Sequence, residues 1–221
     1  HLEAAAGYVV QSSENLTIWV DRPELSASGF TEKVDRPSRL YRARDPQLQV
    51  FTVNAVGYVR LTLQPGYNMI ANQLVQPSSA VRELFPDVPD DTVLYKFDAA
   101  GEGWVFNMFG RDLGGWLDGE QTLAPGEGAF FYNPTREVLT LFLVGEVPPA
   151  PKPSGTPIYG WSIRSHPQPV RGVPPLWPTD RVWPFGQPTW DGTLVCFYRA
   201  AEGGFDSFQF IEGFGWSPAE P

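Results

Sequence analysis

The sequence predicts an all-β protein made of two related β-sandwich or barrel-like repeat units with Pro-rich loops, the second unit incomplete. Three observations lead to this prediction. The 22 glycines and 23 prolines among 221 residues divide the chain into short runs, as turns between strands do. Residues 47–65 alternate apolar and polar side chains, which is the periodicity of a half-buried strand. Finally, motifs within residues 66–147 recur within residues 160–216.

Composition and charge limit the class of protein and its partners. A hydrophobic content of 42% and an aromatic content of 14% are typical of a globular chain. The net charge of −9 argues against nucleic acid and anionic membrane surfaces as partners, because both attract clustered Lys and Arg. No apolar run has the length of a membrane helix, so no membrane insertion is expected. No signal peptide is visible, so His1 is a processed end if the protein is exported.

The N-terminal β-rich block comprises residues 1–46. GYVVQSSENLTIWV (Gly7 to Val20) holds two strand-type runs around a turn-forming cluster, and RLYRARDP (Arg39 to Pro46) holds another. The residues that define the pattern are Tyr8, Gln11, Ser12, Ser13, Leu16, Trp19, Asp35, Arg39, Tyr41 and Arg42. This pattern resembles the end of a sandwich-type module found in secreted multidomain proteins of environmental bacteria. The resemblance implies an edge piece rather than a separate domain.

The first β repeat unit comprises residues 47–148. The alternation from Phe51 to Leu63 predicts a strand whose odd-numbered residues share the buried face. The run from Val138 to Val144 is apolar at every position but Thr140, which predicts a central strand covered on both faces. Gly126 and Gly128 predict a turn or bulge before it.

A second resemblance covers most of this unit. The motifs are VNAVGYV, GYNMIANQL, GEGAFF and GEV, distributed from Val53 to Val147. Together they resemble a family of small secreted all-β repeat proteins of environmental bacteria. The resemblance implies a secreted, extracellular or cell-surface location and no known catalytic motif.

A Pro-rich linker, residues 149–158, separates this unit from the second, truncated β repeat unit, residues 159–221. GTLVCFYRAAEGGFDSFQF (192–210) aligns with DTVLYKFDAAGEGWVFNMF (91–109), and GFGW aligns with GGW. No counterpart of LAPGEGAFFYN or LTLFLVGEV follows in the given sequence. Cys196 is the single cysteine, so it cannot form an intrachain disulfide. It replaces Tyr95 of the first copy at a strand position and is predicted to be a small buried hydrophobe.

Catalytic and metal sites are not predicted, and neither is a cofactor. HExxH, CxxC and GxSxG patterns are absent. A copper brace formed by His1 and His166 is an alternative, but the first residues do not resemble copper-dependent polysaccharide oxygenases. The carboxylates Asp87, Asp90 and Asp91 lack the ladder of calcium loops, which favours a solvated turn. Glu127 is predicted to cap backbone amides in a turn rather than to act as an acid, because no second carboxylate has a recognisable spacing from it.

The missing strands predict an unpaired sheet edge in the second unit. We expect a neighbouring copy's N-terminal strand to fill it by strand addition, which gives head-to-tail filaments. The alternative is that residues 1–45 cover this edge within the same chain. The predicted assembly interface comprises Leu2, Tyr8, Val9, Val10, Phe208, Phe210, Phe214 and Trp216.

The predicted function is that of a non-catalytic extracellular or cell-surface structural or adhesive protein, with other copies of itself as partners. The alternative is a carbohydrate-binding accessory module of a secreted bacterial protein. In that case Trp177, Trp183 and Trp190 would stack on an extracellular polysaccharide. Covering of the hydrophobic core and protein–protein contact are the other interpretations of these three tryptophans.

Overall fold

The computed structural model describes residues 7–25, 31, 33–98, 103–149, 162–163, 165, 168–169, 192–199, 204–213 and 215–218. Nearly all regular structure in these residues is β-strand, so the predicted all-β fold is confirmed. The strands are β1 (Val9–Ser13), β2 (Val20–Asp21), β3 (Ser38–Asp45), β4 (Val50–Phe51), β5 (Val56–Leu63), β6 (Gly66–Ala71), β7 (Val93–Asp98), β8 (Gly103–Gly110), β9 (Gly115–Trp116), β10 (Gly128–Asn133), β11 (Leu139–Glu146), β12 (Leu194–Arg199), β13 (Gly204–Ile211) and β14 (Gly215–Pro218). A short helix α1 (Val81–Leu84) and a 3-10 turn (Pro23–Leu25) complete the described elements.

The first sheet has the strand order β11-β5-β3-β1-β2, with β4 alongside β3. All its pairs are antiparallel. β3 comes from the predicted N-terminal block and β5 from the predicted first unit, and they pair from Ser38 opposite Val59 to Tyr41 opposite Val56. The block and the unit therefore share one hydrogen-bonded sheet across residue 46.

Residues of the N-terminal pattern meet on this sheet. The Arg42 guanidinium lies 4.1 Å above the Trp19 ring and 3.9 Å above the Phe51 ring. Its Nε donates to Gln11 Oε1 at 2.8 Å, and Gln11 Nε2 donates to Asp21 Oδ1 at 2.6 Å. These polar and aromatic side chains thus hold β1, β2, β3 and β4 together, which is a structural role.

The second sheet has the strand order β6-β10-β7-β8-β9. Its inward residues and those of the first sheet belong to one buried cluster, together with α1. Phe131 and Phe85 are fully buried and pack edge to face, with ring centroids 5.6 Å apart. The two sheets therefore enclose a single hydrophobic core. Its members are Leu40, Val59, Leu63, Ile70, Leu74, Val81, Leu84, Phe85, Val88, Leu94, Phe109, Trp116, Leu123, Ala129, Phe131 and Leu143.

Strand β5 shows where the predicted alternation applies. Gly57, Val59 and Leu63 are buried, as the pattern predicts. The predicted buried face does not extend to Val53, whose side chain is 101% exposed, because the chain turns between β4 and β5. Gly57 permits the close approach of β3, since a Cβ atom there would collide with the carbonyl oxygen of Arg39.

Strand β11 corrects the prediction of a central strand. It pairs with β5 over its whole length and occupies the edge of the first sheet. Leu143 faces the core, whereas Phe142 is 43% and Val144 65% exposed. Apolar residues on both faces predicted double coverage, but coverage depends on which strands are neighbours, and that is decided by tertiary pairing.

The third sheet contains β12, β13 and β14 in that order. The residue pairs between β12 and β13 repeat those between β7 and β8 with both residue numbers raised by 101. For example, Leu194 lies opposite Gln209, and Val93 lies opposite Met108. Position 216 then lies opposite 210, as position 116 lies opposite 109. The two three-stranded meanders therefore share one register at the aligned positions.

Candidate functional site: an aromatic face and two open strand edges

The outer surface of the second sheet carries a group of aromatic side chains that we call the aromatic face. It follows from the period of two, since Leu94 and Phe131 point inward and their neighbours point outward. The register aligns Phe130 with Tyr95, and Tyr95 with Phe106. The aromatic face comprises Tyr67, Tyr95, Phe97, Trp104, Phe106, Phe130 and Tyr132.

The rings of the aromatic face contact one another across the strands. Tyr67 lies 5.0 Å from Tyr132 and 5.8 Å from Tyr95, measured between ring centroids. Trp104 lies 5.5 Å from Phe97 and 5.7 Å from Phe130. Such tilted and edge-to-face pairs are favourable beyond their buried area. The rings therefore form two groups on the same face of the sheet, one of Tyr67, Tyr95 and Tyr132 and one of Phe97, Trp104 and Phe130.

Three rings of the aromatic face are more than half exposed to solvent, and its strands carry no outward charge. Tyr67 is 51%, Trp104 53% and Phe106 63% exposed. No outward position of β6, β7, β8 or β10 holds Asp, Glu, Lys or Arg. An exposed group of this kind is typical of a binding surface for a protein or a neutral ligand.

The tyrosines of the aromatic face are electrostatically linked. Partial burial raises the pKa of the Tyr95 phenol, and the hydrogen bond with Tyr67 and the charges of Tyr67 and Tyr132 raise it further. Tyr95 therefore stays neutral at physiological pH.

The end of the aromatic face is in contact with later parts of the chain. Phe205 of β13 meets Phe130 edge to face, with ring centroids 6.4 Å apart. The Gly128 N–H donates to Ile163 O at 3.0 Å, and Ser165 N–H donates to Gly126 O at 3.0 Å. Phe205 of the third sheet and residues 163 and 165 therefore contact the β10 end of the second sheet.

Strand β11 offers an open backbone edge. Glu146 and Val75 exchange two backbone hydrogen bonds of 2.8 Å, so the N–H and C=O of Glu146 point away from β5. These groups alternate sides along a strand, and therefore every second residue before Glu146 points the same way. No strand among the described residues pairs with that edge of β11. The residues are Thr140, Phe142 and Val144.

Strand β12 offers a second open edge. The carbonyl of Thr193 accepts a hydrogen bond from the Phe210 N–H of β13 at 2.9 Å. The backbone N–H and C=O groups of every second residue after Thr193 therefore point to β13 as well. The intervening residues point the other way, to an edge that no described strand covers. In β7 the corresponding edge pairs with β10. The outward-pointing residues of β12 are Leu194, Cys196 and Tyr198.

The residues of the predicted assembly interface fall on two different sheets. Val9 and Val10 belong to β1, which pairs with β2 and β3, and Val10 is buried. Tyr8 is half-buried just before β1. On β13, Phe208 is half-buried and Phe210 is buried. The backbone of Trp216 pairs with Phe210, while Leu2, Phe214 and the Trp216 side chain lie outside the described residues.

The alternative was that residues 1–45 cover the open edge of the second unit within the same chain. The described strands of this block do not do so, because β1, β2 and β3 pair within the first sheet. The glycan-contact candidates Trp177, Trp183 and Trp190 lie outside the described residues, as do His1 and His166. Cys196 is half-buried rather than fully buried, and its Sγ lies 3.4 Å from Ser207 Oγ.

The carboxylates weighed for calcium are engaged by a cation of the chain itself. Arg111 forms ion pairs with Asp90 at 3.0 Å and with Asp87 at 3.2 Å. Among the described residues, no group of three or more His, Cys, Asp and Glu side chains is arranged to hold a metal ion.

Glu127 has the predicted capping role. Its Oε2 accepts a hydrogen bond from the Ala124 N–H at 2.9 Å, and its Oε1 lies 2.7 Å from Lys96 Nζ. The prediction that Glu127 caps a backbone amide in the turn is therefore confirmed.

Sequence reasoning missed the aromatic face, although a signal was present. Strands β7, β8 and β10 each place two aromatic residues at a spacing of two: Tyr95 and Phe97, Trp104 and Phe106, Phe130 and Tyr132. That spacing puts each pair on one face of its strand. Only the pairing of the strands shows that the three pairs share the same face.

Comparison with family models, with curated proteins and with solved structures finds no match to this chain. No helix among the described residues combines the length and the hydrophobicity that crossing a membrane requires. The aromatic face and the two open edges are therefore the features of the molecule from which its function can be inferred.

Proposed function

We propose that the protein is a non-catalytic structural or adhesive protein, secreted or exposed at the cell surface, whose copies assemble by β-strand addition. The observation that carries this proposal is the shared register of the two meanders. In the first, β7 pairs with β10; in the second, the equivalent edge of β12 has no partner among the described strands. An added strand from another copy supplies the pairing that β7 obtains from β10.

The physical reason is the cost of an exposed edge. A row of unpaired N–H and C=O groups beside apolar side chains is a template for another chain, and proteins protect such edges unless they use them. Leu194 of β12 is 42% exposed, and no charged residue or proline interrupts residues 194–198. Addition of a strand from one copy to a different site on the next is head-to-tail and produces filaments.

The net charge sets the conditions for assembly. At −9 the copies repel one another, and salt screens this repulsion. We therefore expect assembly to increase with ionic strength, unlike binding to a polyanion.

The test is electron microscopy and light scattering of the purified protein at low and physiological salt. Cys196→Pro removes one N–H from the open edge, where proline is otherwise tolerated, and Cys196→Ser is its matched control. We expect polymers from the parent and from Cys196→Ser, and monomers with an unchanged circular dichroism spectrum from Cys196→Pro. A parent protein that stays monomeric at every concentration and salt level would overturn the proposal.

A second candidate function is binding of a neutral polysaccharide, and the aromatic face is the observation that favours it. The exposed Trp104 and Tyr67 rings offer flat apolar surfaces that match the apolar face of a pyranose, and the tyrosine hydroxyls offer hydrogen bonds.

The polysaccharide candidate is tested by fluorescence titration with soluble neutral glycans. Trp104→Ala should lose binding, while Leu48→Ala, exposed in the turn between β3 and β4 of the first sheet, should retain it. Absence of any binding by the parent would remove this candidate.

A further inference from the structure

We propose that β11 is the strand that each copy adds to the third sheet of its neighbour, along β12. This inference rests on the assembly function proposed above and names the segment that performs it. It replaces the N-terminal donor, because residues 9–13 already pair with β3, and Val10 O accepts a further bond from Arg22 N–H at 2.7 Å.

The backbone groups of the two edges are complementary in number. β11 directs the N–H and C=O of three residues outward, namely Thr140, Phe142 and Val144. β12 directs those of three residues outward, namely Leu194, Cys196 and Tyr198. Antiparallel pairing, which every strand pair described in this protein uses, places Phe142 opposite Cys196 and satisfies all three pairs in both strands.

The side chains are compatible with that register. Residues 139–145 and 194–198 contain no charged residue and no proline. Phe142 and Val144 are exposed on β11, and Leu194 is exposed on β12. Pairing therefore buries apolar surface without the repulsion of like charges across the strands. The usual protection of an edge by lysine or proline is absent from both segments.

The partner is a second copy because the chain does not make this pairing with itself. The third sheet contacts the aromatic face through Phe205, on the second sheet, whereas β11 lies at the edge of the first sheet. Among the described residues no hydrogen bond joins β11 to β12. Each chain therefore has two strand edges without a partner among the described strands, and these edges match each other but lie on different sheets. A head-to-tail contact between copies would pair β11 of one copy with β12 of the next.

The native Cys196 provides the test. A Phe142→Cys substitution in the full chain places a second thiol directly opposite Cys196 of the next copy, where antiparallel Cα atoms lie about 5.5 Å apart, within disulfide range. On oxidation with diamide we expect a ladder of disulfide-linked oligomers. The matched control is Leu48→Cys, more accessible at 71% exposure than Phe142 at 43% but outside the predicted contact, which should give no ladder beyond dimers.

Further variants separate the possible outcomes. Phe142→Cys combined with Cys196→Ser should form no disulfide-linked oligomers on oxidation; strong disulfide-linked dimers would instead show that β11 pairs with β11, and overturn the inference. Val144→Lys should raise the concentration needed for assembly roughly tenfold or more while leaving the fold unchanged. Polymers of the parent with no Phe142→Cys ladder would overturn β11 as donor and leave the proposed function standing. A monomeric parent would overturn both.

Discussion

Replacement of the buried Asn72 is expected to destabilise the protein strongly. The side chain is fully buried in the turn after β6. Its Nδ2 donates to Leu123 O at 2.9 Å, and its Oδ1 accepts from Leu74 N–H at 3.1 Å. It also exchanges hydrogen bonds with the Gln76 side chain at 3.0 and 3.3 Å. One amide thus joins β6, the following turn and the segment that leads to β10.

The magnitude follows from the partners left behind. In Asn72→Ala, Leu123 O and Leu74 N–H lose their partners in a buried site, and each such loss costs about 1–3 kcal/mol. The Gln76 side chain is half-buried and regains water, so it adds little. We therefore expect the free energy of unfolding to fall by about 2–6 kcal/mol.

The assay is urea denaturation followed by circular dichroism, with Asn54→Ala as the matched control. Asn54 is exposed and makes one side-chain contact, to Glu146 Oε2 at 3.3 Å, so its loss should change stability by less than about 0.5 kcal/mol. A decrease below about 1 kcal/mol for Asn72→Ala would refute the view that this amide organises the turn.

Two further predictions concern the sheets. Gly57→Ala should lower the free energy of unfolding by about 1–3 kcal/mol because its Cβ meets the Arg39 carbonyl, whereas Gly119→Ala should be mild since a flexible side chain can move aside; equal urea midpoints would contradict this. Because the folded-state pKa of Tyr95 is raised above its ordinary 10.0, its stabilisation is complete below that pH and is lost as pH rises through the folded-state pKa. Between pH 8 and a pH above 10, the free energy of unfolding measured by urea titration should fall less for Tyr95→Phe than for the parent. Identical decreases in the two proteins would contradict the assignment.

Several features of the protein follow from short-range sequence alone. The spacing of Gly and Pro predicts an all-β chain, and the alternation in β5 identifies Val59 and Leu63 as buried, because a strand has a period of two wherever it lies. The capping by Glu127 is equally local, since its carboxylate reaches an amide three residues away. These predictions need no knowledge of which strands are neighbours.

The candidate site depends on long-range pairing and could not be predicted in the same way. The aromatic face exists because β10 lies between β6 and β7, which brings Tyr67 and Tyr95 beside Tyr132. Likewise, an apolar run such as that of β11 can lie at the edge or at the centre of a sheet, so its composition does not predict its position. The carboxylates of Asp87 and Asp90 are engaged by Arg111, more than twenty residues away.

Sequence therefore determined the class of fold, the strand faces and the local caps, all of which depend on residues within a few positions of one another. Tertiary structure decided which edges are open, which aromatic side chains meet and which charges pair. The physical reason is that hydrogen bonding between strands is sequence-independent, so the order of strands in a sheet is selected by the packing of the whole core.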